Sequence, residues 1–215
     1  MTEAREVIKM KITFLGDSIR EQYAPRVKEL LGEGYDVWWP SDNCRFAKYT
    51  LRGLFDWSRY MEGSDIVHFN CGHWDTCNLF GDGSFSTEEE YVDNMMRIVD
   101  ILKRKYKTVV FATTTPASET NKFYAKGISD RFNSIIVPRL VERGVLIDDI
   151  NACIRDDVER YICDDGVHLS EEGIEKCARH VADFITSIAA STGESEQPRI
   201  EEQDEDTTGA PVLIS

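Results

Sequence analysis

The chain has 215 residues, enough for one domain with a sizeable core, and its 41% hydrophobic and 10% aromatic content is that of a globular protein. A formal net charge of -14 argues against nucleic acid or an anionic membrane as partner, because both require a basic surface. A small-molecule substrate fits that charge better. The N-terminal "MTEAREVIKM" has mixed charges and no apolar core, so it does not read as a signal peptide, and no apolar run is long enough to span a bilayer. A cytoplasmic protein with reduced thiols is the expectation for the six cysteines, Cys44, Cys71, Cys77, Cys153, Cys163 and Cys177. Oligomeric state is open.

In chain order, strand patterns alternate with helix patterns. Short runs rich in Val, Ile, Phe and Trp predict strands at Ile8–Leu15, Tyr35–Trp39, Asp65–Cys71, Thr108–Thr114 and Val145–Ile150. Helices are expected over roughly Glu21–Leu31 and Leu51–Met61. Thr87 to Glu90 reads as a capping box opening a third helix that ends near Tyr106. A fourth is expected from Asn121 to Arg143, either kinked at Pro138 or starting late at Gly127. The last starts at Ser170, with Glu171 and Glu172 in its first turn, and runs to about Ala190. This alternation implies a three-layer α/β/α domain over residues 1–190, with a roughly five-stranded parallel sheet of flavodoxin-like type. The acidic, polar stretch 191–215 reads as a disordered tail.

In such sheets, function collects at the C-terminal ends of the strands, and three segments there carry chemistry. The first is "LGDS", which puts Ser18 after strand one and before a helix, whose free N–H groups suit a nucleophile that builds an oxyanion. Locally, a plain helix cap by Asp17 or Ser18 explains it as well. The second is "VHFNCGHWD", Val67–Asp75, where Asn70, Gly72, Trp74 and Asp75 crowd one turn. These are either oxyanion and substrate contacts or an ordinary Asn/Gly/Asp turn. The third is "CDDGVHLSEEG", with Asp165 two residues before His168. Within one turn a carboxylate can hold an imidazole Nδ1–H and leave Nε2 facing a nucleophile, although an Asp–Gly turn beside a helix-flanking His is common.

Taken in order, "GDS" at 16–18, "FNCGHWD" and "DGVH" at 165–168 resemble the nucleophile, Gly-x-Asn-Asp and closing Asp-x-x-His blocks of the SGNH hydrolases (GDSL-type esterases). "NSIIVPRLVERGVLIDD" also looks like that family's penultimate helix–strand unit, and the resemblance covers about residues 8–190. It implies Ser18 as nucleophile and His168 as general base and then acid. Asp165 would orient His168, and the Ser18 N–H would be one oxyanion donor. It implies a carboxylic ester substrate, an O-acetyl group on a carbohydrate among the family's choices, and no cofactor or metal.

Two positions depart from the family. The second block, which normally supplies a glycine N–H, corresponds to "NCRFAKYT", with Lys48 and no glycine. The Asn of Gly-x-Asn-Asp is Trp74, and Asn70 is the candidate substitute. Arg45 and Lys48 are candidate contacts to an anionic part of the substrate. Cys71, His73, Cys77 and His168 have no standard zinc spacing. Two rivals stand beside the esterase. One is a weak or inactive binding protein on the same fold, suggested by the altered oxyanion positions. The other is a receiver or nucleotide-binding domain, although no Gly-x-Gly-x-x-Gly or phosphate loop is present.

Overall fold

The computed structural model describes residues 9–195. Five strands, β1 (Met10–Leu15), β2 (Tyr35–Trp38), β3 (Ile66–Phe69), β4 (Thr108–Ala112) and β5 (Leu146–Asp148), form one sheet. Every pairing is parallel and the order is β2-β1-β3-β4-β5. Eight helices accompany them: α1 (Ser18–Leu31), α2 (Ala47–Met61), α3 (His73–Thr76), α4 (Glu88–Lys105), α5 (Ile128–Glu142), α6 (Ile150–Ile154), α7 (Val158–Tyr161) and α8 (Glu171–Ser195).

The period-2 alternation of the strands splits the core in two. Leu15, Val67, Phe69, Val109 and Phe111 face the layer of α2, α4 and α5, packing on Trp57, Met95, Ile98 and Phe132. Ile12, Phe14, Ile66, Val110 and Ala112 face the layer of α1, α6 and α8, packing on Ile19, Tyr23, Val27 and Val181. Each fully buried Leu, Ile, Val or Phe here contributes about 1.5–3 kcal/mol of transfer free energy.

This order reverses between β1 and β3: the chain steps outward to β2 after β1, then crosses back to β3. A crevice opens above that switch point, because neighbouring connections leave to opposite faces. Ser18 follows β1 and the Asn70–Trp74 segment follows β3, so both lie at the crevice.

Several elements differ from the sequence expectation. Helix α1 begins at Ser18, not Glu21, because the Asp17 side chain caps it by accepting the Ile19 N–H at 3.0 Å. Helix α2 begins at Ala47, four residues early. Its N-cap Phe46 has no capping side chain, and the Asp75 carboxylate accepts the Ala47 N–H from another segment instead. The Thr87–Glu90 capping box is formed as expected. Helix α5 takes the late start, after Gly127 in the left-handed region, and Pro138 is carried inside it. The short helices α3, α6 and α7 gave no periodic signal. Helix α8 continues to Ser195, past the expected boundary at Ala190, and the rest of the expected tail lies outside the described residues. No helix among the described residues is long and apolar enough to cross a membrane.

Candidate active site

At the end of β1 the chain makes a tight approach to β3. A Cβ on Gly16 would fall 1.8 Å from Asn70 Oδ1, so only glycine fits there. The Gly16 carbonyl accepts from the Cys44 N–H and from the buried Arg20 guanidinium. Asp17, fully buried, accepts from Ile19 N–H and from Asn70 Nδ2 at 2.9 Å. These contacts fix the turn and leave Ser18 half-buried at the first turn of α1. Its backbone N–H has no partner among the described residues.

His168 comes to Ser18 from the far end of the chain. Its Nε2 lies 2.9 Å from Ser18 Oγ, and its Nδ1 lies 2.6 Å from Asp165 Oδ2. The loop that holds this pair folds tightly on itself. Gly166 sits at φ 78, Cys163 N–H donates to the His168 carbonyl, and Asp165 Oδ1 accepts the N–H groups of Val167 and His168. Burial pushes the Asp165 carboxyl up, but the Val167 N–H, the His168 imidazole and the His168 N–H together outweigh it and hold it below the usual aspartate range. Asp165 is therefore an anion at neutral pH and favours the Nδ1–H tautomer of His168, with Nε2 accepting from the serine hydroxyl.

A residue the sequence reading missed fastens this loop. Gln22, one turn after Ser18 on α1, donates from Nε2 to the Leu169 carbonyl and accepts the Leu169 N–H at Oε1, at 3.1 and 2.9 Å. This amide pair sets the distance between Ser18 and His168. Only the four-residue spacing on the helix could have hinted at it.

Of the other expected site residues, Trp74 lines the crevice and the rest do not. Asn70 is buried under the Gly16 turn with its amide committed to Asp17, so it positions the turn. Gly72 provides a close approach, since a Cβ there would meet Thr114 Oγ1 at 2.0 Å. Asp75 is fully buried between Ala47 N–H and Ser86 Oγ (2.9 and 2.7 Å), and burial pushes its carboxyl up to about 7 against those hydrogen bonds. Lys48 is exposed on α2 facing α4, beside Glu90 and Asp93, because its place in the helix points it away from the sheet end. Arg45 stacks on the Tyr49 ring, with 5.0 Å from guanidinium carbon to ring centroid. Neither cation lines the crevice. His73 does line it: its Nε2 pairs with Thr115 Oγ1 at 2.8 Å, and burial lowers its pKa, so it is neutral. No group of three or more His, Cys, Asp or Glu among the described residues could hold a metal ion.

The cavity beside Ser18 has a volume of about 290 Å³ and is walled by His73, Trp74, Cys77, Leu79, Phe123 and Tyr124, with Asp165 to His168 along one side. A larger cleft of about 450 Å³ shares the 116–127 loop but reaches none of Ser18, Asp165 and His168. Its charges are mixed, Lys126 and Arg155 against Glu119, Asp130 and Glu159.

No family model matches the sequence, and no curated protein matches it. Solved structures do match. The acetyl xylan esterase AlAXEase is 19% identical with a TM-score of 0.67, covering 81% of this chain and 99% of that one. The lipase/acylhydrolase from Enterococcus faecalis is 18% identical with a TM-score of 0.69, over 84% and 97%. A variant of an acetyl-xylooligosaccharide esterase from Geobacillus is 18% identical with a TM-score of 0.68, over 84% and 96%. The chain has the fold of the SGNH (GDSL-type) hydrolases over nearly the whole length of these neighbours.

Proposed function

We propose that the protein is a carboxylic ester hydrolase acting through Ser18. The observation that carries this reading is the continuous chain Ser18 Oγ–His168 Nε2 and His168 Nδ1–Asp165 Oδ2 at the switch point of the sheet. Attack of Ser18 Oγ on the ester carbonyl passes its proton to His168 Nε2, and Asp165 stabilises the imidazolium that forms. The unpartnered Ser18 N–H, at the positive end of α1, faces the developing oxyanion. His168 returns the proton to the departing alcohol, then takes one from the water that opens the acyl-enzyme. No cofactor enters this cycle.

The names of two structural neighbours favour an O-acetyl group on a carbohydrate as the ester. The lining of the cavity favours an apolar acyl group. A second reading, a binding protein of this fold without turnover, rests on the second oxyanion position, which has neither the family's glycine nor a free side-chain amide. A Ser18–His168 separation of 2.9 Å gives no support to the receiver or nucleotide-binding alternative, which a wide separation would have revived.

Turnover of p-nitrophenyl acetate by wild type and Ser18→Ala decides between these readings. A hydrolase loses its activity in the variant and is labelled at Ser18 by a fluorophosphonate. Equal rates for both proteins would sink the esterase reading.

A further inference from the structure

The walls of the Ser18 cavity combine exposed apolar side chains with polar groups that are mostly paired. Trp74, Leu79 and Phe123 leave 37%, 42% and 37% of their surface to water, although side chains of this kind are elsewhere mostly in the core. They converge on one opening beside Ser18 and His168. Large apolar groups gathered around one concave opening mark a binding surface.

The polar atoms of the same wall have little left to offer. Asn121 Nδ2 donates to the Asp165 carbonyl and its Oδ1 accepts the Phe123 N–H. His73 Nε2 is held by Thr115, and the Tyr124 hydroxyl lies beside the Cys77 thiol. Asp165 is filled by two N–H groups and the imidazole. Outside Ser18, Asp165 and His168, the indole N–H of Trp74 and the second Nδ2–H of Asn121 have no partner among the described residues, and His73 Nδ1 is buried without one. A sugar placed here would lose water from several hydroxyls and regain few of those hydrogen bonds. An alkyl chain loses nothing comparable and gains the apolar contact. Size points the same way. About 290 Å³ lies at the lower end of small-molecule pockets and is far more than the single methyl of an acetyl group fills.

We infer that this cavity binds a medium-length alkyl acyl chain, so that the substrate class is an ester of a medium-chain carboxylic acid and not an O-acetyl sugar. The inference rests on the reading of Ser18 as nucleophile. The test is kcat/KM over p-nitrophenyl acetate, butyrate, hexanoate, octanoate and palmitate, with an acetylated xylooligosaccharide as the sugar arm. Each methylene that enters the cavity should raise kcat/KM about fourfold, from ~0.8 kcal/mol per buried methylene, until the chain outgrows it. Leu79→Ala and Phe123→Ala should lower the ratio of hexanoate to acetate turnover. A wild-type series that is flat or falls from acetate onward, or faster release of acetate from the sugar than of hexanoate, overturns the inference while the Ser18 reading stands. Equal turnover by wild type and Ser18→Ala on every ester overturns that reading instead.

Discussion

Asp75 is a buried carboxyl at the start of a helix that its own segment does not belong to, and replacing it by asparagine should change how stability depends on pH. Burial lifts its pKa from the ordinary 3.8 to about 7, against the opposing hydrogen bonds from Ser86 and Ala47. Between those values the folded chain holds a proton that the unfolded chain has released, so stability falls as pH rises through the window. The gap, at ~1.4 kcal/mol per pH unit, amounts to about 4 kcal/mol in all, of which about 3 kcal/mol lies between about pH 5 and about pH 8. The protonated carboxyl keeps both contacts, with Oδ2 accepting the Ala47 N–H and an Oδ1–H donating to Ser86 Oγ. An asparagine reproduces that pattern with its carbonyl and amide. Asp75→Asn should therefore exceed wild type by about 1–2 kcal/mol near pH 5 and by about 4 kcal/mol near pH 8. Urea unfolding followed by far-UV circular dichroism at both pH values measures this. Taking the difference between the two proteins cancels other titrating groups, such as His180, whose pairing with Asp148 also raises its pKa. Asp75→Ala removes the same titration but leaves a buried N–H and hydroxyl unpaired, so it should lie about 1–3 kcal/mol below Asp75→Asn at both pH values. If Asp75→Asn tracks wild type in parallel from pH 5 to pH 8, Asp75 ionises normally and the reasoning fails.

Further expectations concern the turn and the loop that meet at the site. Asp165→Ala should cut kcat by roughly 10²–10⁴-fold with little change in KM, as steady-state kinetics would show. Gln22→Ala should lower kcat more than thermal stability, because it frees the Leu169 segment and lengthens the Ser18–His168 separation. Gly16→Ala should cost about 1–3 kcal/mol in unfolding titrations, since the new methyl displaces Asn70 and the turn that presents Ser18. Lys48→Ala should leave kcat/KM within about twofold of wild type, its side chain facing α4 and not the cavity. A larger loss would return Lys48 to the substrate site.

The sequence by itself determined what is local. Strand–helix alternation is a periodicity of neighbouring residues, and it located all five strands and the long helices. Asp165 and His168 are three positions apart, so one tight turn with Gly166 at its bend brings them together. The Thr87–Glu90 capping box is local for the same reason. What the tertiary structure decided is which strand ends become neighbours and where side chains point once they are there. Ser18 and His168 are separated by 150 residues. They meet because the strand order reverses between β1 and β3, and because Gln22 ties the closing loop to α1. Asn70 and Asp75 had the right chemistry for the site, but burial beneath the turn and at the start of α2 committed the Asn70 amide N–H to Asp17 and the Asp75 carboxyl to Ala47 and Ser86. Lys48 has the right place in the chain, but the helical rotation of α2 turns it toward α4. Such pairings depend on which groups packing removes from water, and no spacing along the chain encodes that.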